Sequence, residues 1–183
     1  MDWGSLEKSI QTCRICPELN IKGRTESAPG YGNKESKIVL VGQSLCYECM
    51  FTQIPFTGGS GFILDKVFEV LKIKKSDIFI TNLVKCHPDK NRPSKTEEKE
   101  NCLPYLKDEI SLIKPELVVP LGADAVTVFL GRCALSDVVN TKFTNDEFEV
   151  VPMFHPAYLM RQSSKLLINS YIAKFVVLLR QYL

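Results

Sequence analysis

The sequence predicts an α/β fold, a single-domain three-layer sandwich in which helices flank a central, mostly parallel four-stranded sheet. Four short apolar runs carry this prediction, at residues 37–42, 77–82, 116–122 and 148–152. Nearly continuous apolar runs of this length are typical of strands buried on both faces. Segments with helical periodicity alternate with them, and strands that alternate with helices form parallel sheets.

The predicted helices are taken in chain order. A short helix over residues 3–12 precedes a loop at 17–36, which is rich in Gly, Pro, Ser and charge. Apolar spacing predicts a helix at 62–71, after a loop at 43–61. Ser94 and Glu97 have capping-box spacing, which starts a helix that ends near Ile113, before Pro115. Two further helices are expected at residues 123–131 and 165–182.

Length and composition indicate one soluble domain, residues 1–183. The chain is 45% hydrophobic and 24% charged, with a net charge of +2. There is no apolar run of about 18 residues, so we expect no membrane span. The polar, acidic start does not resemble a signal peptide, which predicts a cytoplasmic protein. The near-neutral charge does not by itself indicate a nucleic-acid partner.

Four of the seven cysteines have the spacing of a metal centre. Cys13 and Cys16 form a C-x2-C pair, and Cys86 and Cys102 complete a set of four thiolates. Spacing alone allows structural zinc as well as an iron–sulfur cluster. The remaining cysteines are interpreted as ordinary thiols, although two of them repeat the C-x2-C spacing: Cys46, Cys49 and Cys133.

Polar residues follow three of the predicted strands. Gly42 and Gln43 end the first, Asn82 ends the second, and His155 follows the fourth. In parallel sheets, ligands bind at the carboxyl ends of the strands. The sequence therefore predicts that these residues share one site.

The motifs of the chain come in a recognisable order. G-Q-S-L-C at 42–46 precedes I-P-F-T-G-G-S-G at 54–61, and N-L-V-K-C-H-P opens the stretch 82–93. Glu98, Cys102, Leu106 and Gly122-Ala123 follow, and H-P-A-Y-L-M-R at 155–161 completes the set. This ordered set resembles the uracil-DNA glycosylase superfamily, most closely its iron–sulfur family 4 enzymes.

The resemblance implies a monofunctional DNA-repair glycosylase that flips uracil out of DNA and hydrolyses its N-glycosidic bond. It also implies a [4Fe–4S] cluster on the four cysteines, with zinc as the alternative. The expected partner is DNA, single- or double-stranded, and we expect a monomer.

Roles for individual residues follow from the resemblance. His155 would hydrogen-bond uracil O2, helped by backbone amides from Gly42 to Ser44. Asn82 would read the pyrimidine edge, Phe56 would stack on the flipped base, and Leu159 would fill the space the base leaves. Separately, Lys90, Arg92 and Arg161 are candidates for phosphate contacts by their charge. The backbone amides from Gly58 through Ser60 to Gly61, at a helix start, are further candidates.

The first motif departs from the family. Gln43 stands where the family has Glu, and Ser44 stands where the Gln-bearing enzymes have Asp. Glu48, just beyond the motif, is a candidate for positioning the attacking water. Cys46 occupies a place where a Tyr blocks the thymine methyl group in another family, and the adjacent Tyr47 is a candidate for restoring that block.

These departures leave other functions open. One is a glycosylase for another deaminated base, hypoxanthine or xanthine. Another is a catalytically weak module that binds damaged DNA. The last is a small metal-bound regulatory α/β domain unrelated to DNA.

Overall fold

The computed structural model describes residues 2–183 and alternates helices with strands along the chain. The helices are α1 (Trp3–Thr12), α2 (Tyr47–Thr52), α3 (Gly61–Leu71), α4 (Thr96–Ile113), α5 (Ala123–Leu130), α6 (Leu135–Val138), α7 (Pro156–Gln162) and α8 (Lys165–Arg180). The strands are β1 (Tyr31–Gly32), β2 (Ile38–Ser44), β3 (Phe79–Val84), β4 (Leu117–Pro120), β5 (Phe143–Thr144) and β6 (Glu149–Val150).

The sheet has six strands in the order β1-β3-β2-β4-β6-β5, so the expected number of four is wrong. The four predicted strands do form its parallel centre, from β3 to β6. The two additional strands are the antiparallel edges β1 and β5, of two residues each. Neither lies within one of the apolar runs, so the sequence pattern does not reveal them.

Each face of the sheet is covered by a separate apolar layer, which gives the predicted three-layer sandwich. Ile38 and Leu40 point into one layer, where they meet residues of α3 and α8 such as Ile63 and Phe175. Val39, between them in the strand, points into the other layer with residues of α4. This alternation follows from the two-residue period of a strand.

Most helix boundaries agree with the sequence to within one or two residues, but two local predictions are wrong. The predicted loop at 43–61 contains α2, a helix too short to show a period. The cap of α4 lies one residue later than expected, because the Glu98 carboxylate accepts from the Lys95 backbone N–H at 2.7 Å. Ser94 Oγ is buried without a hydrogen-bond partner within residues 2–183.

The N-terminal segment is attached to the end of β3. Ser27 pairs with Cys86 in an antiparallel bridge, and the Ala28 backbone N–H donates to the Lys85 carbonyl at 2.9 Å. The region around Cys13 and Cys16 is thereby held near Cys86. Within residues 2–183, no helix combines the length and the hydropathy needed to cross a membrane.

Candidate active site

The carboxyl ends of β2 and β3 bring Gly42 and Asn82 side by side. The two residues are register partners in the parallel ladder. A Cβ on Gly42 would lie 2.3 Å from Asn82 Oδ1 and 2.9 Å from the Phe56 ring. Only a glycine leaves room for both side chains, so the β2 end is shaped around the carboxamide and the ring.

Phe56 is held in an unusual backbone conformation. Its φ is 56°, in the left-handed region that a side chain of this size rarely adopts. The Lys75 ammonium donates to its carbonyl oxygen at 2.9 Å. A Cβ on Gly61 would lie 1.7 Å from that same oxygen, so Gly61 has to be a glycine. These contacts orient the Phe56 ring, which borders the site on one side and the apolar core on the other.

His155 lies at the first position before α7, with its ring centroid 5.6 Å from that of Phe56. The Ala157 backbone N–H donates to His155 Nδ1 at 3.1 Å, so in the neutral ring Nε2 carries the proton. Burial lowers the pKa of His155 to about 4, and the nearby Arg161 guanidinium acts in the same direction. At neutral pH the imidazole is therefore an uncharged Nε2–H donor.

The four predicted metal-ligand cysteines converge beside α4. Cys86 and Cys102 are buried, and Cys13 and Cys16 are half-buried. Burial raises the pKa of Cys86, and negative charge on the other three sulfurs acts in the same direction. Burial raises the pKa of Tyr105, and the nearby Cys13 sulfur acts in the same direction. Asn101 Nδ2 donates to Cys16 Sγ at 3.5 Å.

The sequence allows two metal centres at these thiols, a zinc ion or an iron–sulfur cluster. Within residues 2–183, no three His, Cys, Asp or Glu side chains are arranged to hold a single metal ion. One zinc ion requires all four sulfurs within about 2.3 Å of it. A cluster fills a larger space between its thiolates, and hydrogen-bond donors to sulfur are typical of such sites. Four thiols with a hydrogen-bond donor beside one of them are a donor set that suits a metal centre of either kind.

Comparison with known proteins agrees with this geometry. The family model for the uracil DNA glycosylase superfamily matches residues 29–180. The chain belongs to the uracil DNA glycosylase superfamily. It is 34% identical to a type-4 uracil-DNA glycosylase of Thermotoga maritima, over 87% of this chain and 83% of that protein. A type-4 uracil-DNA glycosylase of Pyrobaculum aerophilum is also 34% identical, over 88% of this chain and 86% of that protein. A type-4 uracil-DNA glycosylase of Archaeoglobus fulgidus is 29% identical, over 84% of this chain and 80% of that protein.

In this superfamily member the residues of the altered first motif lie around α2. Gln43 and Ser44 are the half-buried last residues of β2. Cys46 caps α2, and the structure pairs it with Cys49 in a disulfide, so the interpretation of these two as ordinary thiols is wrong. The short helix brings positions 46 and 49 together. Glu48 is exposed, and its carboxylate lies against Gly58.

The expected phosphate contacts of this glycosylase homologue have different surroundings. Gly58 lies in an exposed turn, and the half-buried Ser60 precedes α3. An anion at the amides of this turn would meet the negative charge of Glu48. Lys90 and Arg161 are exposed. Arg92 instead pairs with the Glu98 carboxylate through both of its terminal nitrogens.

The wedge role expected for Leu159 does not fit its position. The side chain is only 4% exposed and packs in the apolar core beneath α7. Its neighbours Tyr158 and Met160 are 39% and 44% exposed. The motif match assigns a role to Leu159 and none to these two exposed neighbours. The helical period of α7, with an apolar residue on either side of Leu159, is the signal that could have found them.

Proposed function

We propose that this protein is a DNA-repair glycosylase that hydrolyses the N-glycosidic bond of uracil in DNA. The observation that carries the proposal is the neutral Nε2–H donor of His155, placed beside the Phe56 ring. The Asn82 carboxamide borders the same ring at Gly42. These groups supply the three things that uracil release requires: a base platform, an edge reader and a donor to the leaving base.

Asn82 selects uracil by hydrogen bonding. Its carboxamide oxygen accepts from uracil N3–H and its nitrogen donates to O4. Cytosine presents the opposite pattern at these two positions. Asn82 is only 5% exposed, so a mismatched base leaves buried polar groups unpaired. Such sites discriminate strongly, because an unsatisfied buried donor or acceptor costs about 1–3 kcal/mol.

His155 stabilises the departing uracil anion. As the bond to the sugar breaks, negative charge builds on uracil O2, and the Nε2–H donates to it. Backbone amides from Gly42 to Ser44 assist. One preorganised donor to a developing oxyanion contributes about 3–4 kcal/mol. A neutral imidazole provides this donor without transferring a full proton.

The attacking water lacks the carboxylate that the family resemblance leads one to expect. Gln43 orients a water through its amide but takes up no proton. Glu48 is the carboxylate of this loop, and we propose it as the water-positioning group. A general base contributes about 10²–10⁴-fold to a rate, so its weakening reduces the activity without abolishing it.

The cysteine site would hold a [4Fe–4S] cluster on Cys13, Cys16, Cys86 and Cys102. When bound, the cluster links the N-terminal segment to β3 and α4 covalently. Because Cys86 lies four residues after Asn82, this link supports the end of the strand that presents Asn82. We propose a cytoplasmic location.

DNA is engaged at the surface around α7. Arg161 is exposed and close enough to His155 to lower its pKa, so it provides positive charge at the mouth of the site. The exposed Tyr158 and Met160 provide the apolar surface that replaces a flipped base in the stack. The target base leaves the duplex before it reaches His155. A monomer is sufficient for this arrangement.

The test is a base-release assay on oligonucleotides with a single uracil, hypoxanthine or xanthine, in single strands and opposite each base. Alkali then reveals abasic sites. Release of uracil, with a loss of at least about 10²-fold in His155→Ala and Asn82→Ala, is the expected result. Release of another base alone would assign the altered first motif a new specificity. Binding to damaged DNA without release by cluster-loaded protein would make the chain a binding module.

A further inference from the structure

A buried ion pair lies behind Asn82, outside the groups that contact the base. Lys85 Nζ is 2.6 Å from Glu109 Oε2, and the two side chains are 2% and 1% exposed. Among the ion pairs within residues 2–183, it is the one in which both partners are buried. Neither residue of this pair has a role in the proposed mechanism of uracil release.

Each polar group of the pair has a partner. Lys85 Nζ donates to the Thr81 hydroxyl and to the Asn82 backbone carbonyl, both at 2.7 Å, as well as to Glu109. The Glu109 carboxylate also accepts from the Thr81 hydroxyl at 2.6 Å and from the Gly30 backbone N–H at 2.8 Å. A fully satisfied buried network is rigid, because any displacement leaves a polar group unpaired.

The network acts on Asn82 from the side of the sheet opposite to the site. Successive residues of a strand point to opposite faces, so Thr81 faces α4 while the Asn82 side chain faces Gly42. The Lys85 ammonium holds the Asn82 carbonyl from the α4 side. The backbone that carries the base-reading carboxamide is thus fixed by a charged group that never meets the base.

The same pair connects Asn82 to the cysteine-bearing elements. Lys85 precedes Cys86 in the chain, and Glu109 lies on α4 two helical turns after Cys102. A buried ion pair adds little stability over an apolar pair of the same size. Its position between the cysteines and Asn82 therefore points to a role in geometry.

We propose that Lys85 and Glu109 are positioning residues that set the orientation of the Asn82 carboxamide. This inference rests on the proposed function, in which Asn82 reads the uracil edge. The pair determines how well the site distinguishes uracil from cytosine, and it does so through Asn82 alone.

The test is the double variant Lys85→Met/Glu109→Gln in cluster-loaded protein. Methionine keeps the apolar stem. The glutamine oxygen still accepts from the Gly30 N–H and its amide nitrogen donates to the Thr81 hydroxyl oxygen, so no buried charge is left unpaired. We expect iron content and unfolding midpoint close to wild type. The kcat for uracil release should fall about 10–100-fold and KM should rise about tenfold, because misplacement of a reading group by about 1 Å costs this much. The ratio of affinities for uracil- and cytosine-containing strands, measured by fluorescence anisotropy, should fall at least about tenfold.

The matched control is Lys99→Met/Asp124→Asn, which removes the charges of an ion pair between α4 and α5. This control should change neither the kcat for uracil release nor the ratio of affinities for uracil- and cytosine-containing strands. Combination with Asn82→Ala separates positioning from general structural support. If the pair acts through Asn82, the double variant causes no further loss in that background. Full additivity, or unchanged kcat and selectivity in the folded double variant, would overturn the inference.

The two proposals fail differently. Wild-type protein that releases no uracil refutes the proposed function, and the affinity ratio of the double variant then decides the positioning inference. Wild-type protein without release and without preference for uracil refutes both.

Discussion

The carboxamide oxygen of Asn82 lies against the α-carbon of Gly42, so that a Cβ at position 42 would come within 2.3 Å of it. The two residues are partners in the β2–β3 ladder, which explains why their side-chain directions coincide.

Gly42→Ala should therefore displace the carboxamide and the Phe56 ring together. Uracil release is expected to fall about 10²-fold, with the fold retained. Single-turnover release rates and the unfolding midpoint measure the two effects. Gly4→Ala, in the exposed first turn of α1, is the matched control and should leave release unchanged. Equal rates for the two variants would mean that position 42 tolerates a methyl group.

The lowered pKa of His155 predicts how kcat/KM depends on pH on the acidic side. With a pKa of about 4 the imidazole stays neutral above about pH 5, so kcat/KM should show no limb near the ordinary value of 6.5. Release measured between pH 5 and 8 at constant ionic strength checks this. An apparent pKa near 6.5 that disappears in His155→Gln would show that the ring is not shielded in solution.

The same group makes folding stability depend on pH. Between about pH 4 and 6.5 the unfolded chain binds a proton at His155 that the folded chain does not. Stability from this group is therefore complete above pH 6.5 and falls as the pH drops towards 4. Urea unfolding at pH 7 and pH 5 should show a smaller loss for His155→Gln than for wild type. A loss of the same size in both proteins would contradict the shifted pKa.

Alanine variants of Leu159 and Tyr158 should have different effects, the first on folding stability and the second on uracil release from duplex DNA. Leu159→Ala removes a buried side chain and should destabilise the protein by about 2–5 kcal/mol. Tyr158→Ala loses the stacking on Phe154, at 4.9 Å between centroids, and should cost about 1 kcal/mol. It should instead slow release from duplex more than from single strands. The reverse pattern would restore Leu159 as the wedge.

Gln43→Glu should raise uracil release tenfold or more, because it supplies a carboxylate that can accept a proton from the water. Glu48→Gln should lower release if the displaced carboxylate has taken over that task. Both are read as single-turnover rates near pH 7, with Glu35→Gln, another exposed glutamate, as the control. No change in either variant would place water activation on another group.

Removal of the cysteine centre should uncouple the N-terminal segment. Cys86→Ser is expected to lose iron and the associated absorbance. It should also lose more than about 3 kcal/mol of stability, since metal binding adds directly to folding free energy. Cys133→Ser, at an exposed position, should keep both. Iron retention with unchanged stability in Cys86→Ser would exclude it as a ligand.

The fold could be predicted in outline because its central strands are buried on both faces. Such strands appear as unbroken apolar runs, and helices show their own period. The edge strands β1 and β5 and the short helices α2 and α6 are too brief to show any period. The six-stranded sheet is therefore visible in the three-dimensional structure and not in the pattern.

The site was predictable as a set of residues, since Gly42 and Asn82 lie near the carboxyl ends of strands that sequence patterns reveal and His155 follows another. Their chemical states were not predictable. The tautomer of His155 depends on the Ala157 amide, and its lowered pKa depends on burial. The sequence alone reveals neither the tautomer nor the lowered pKa. The same holds for Leu159, whose motif position suggested exposure and whose packing buries it.

Residue identity alone therefore determines the family, the strand ends and the four thiols of this chain. Packing decides which groups are neutral, which are buried and which hold a site residue from the opposite face of the sheet. The physical reason is that periodicity reports local backbone geometry. The Lys85–Glu109 pair and the contact of Asn82 with Gly42 join residues 24 and 40 positions apart, which meet only once the sheet and α4 have assembled.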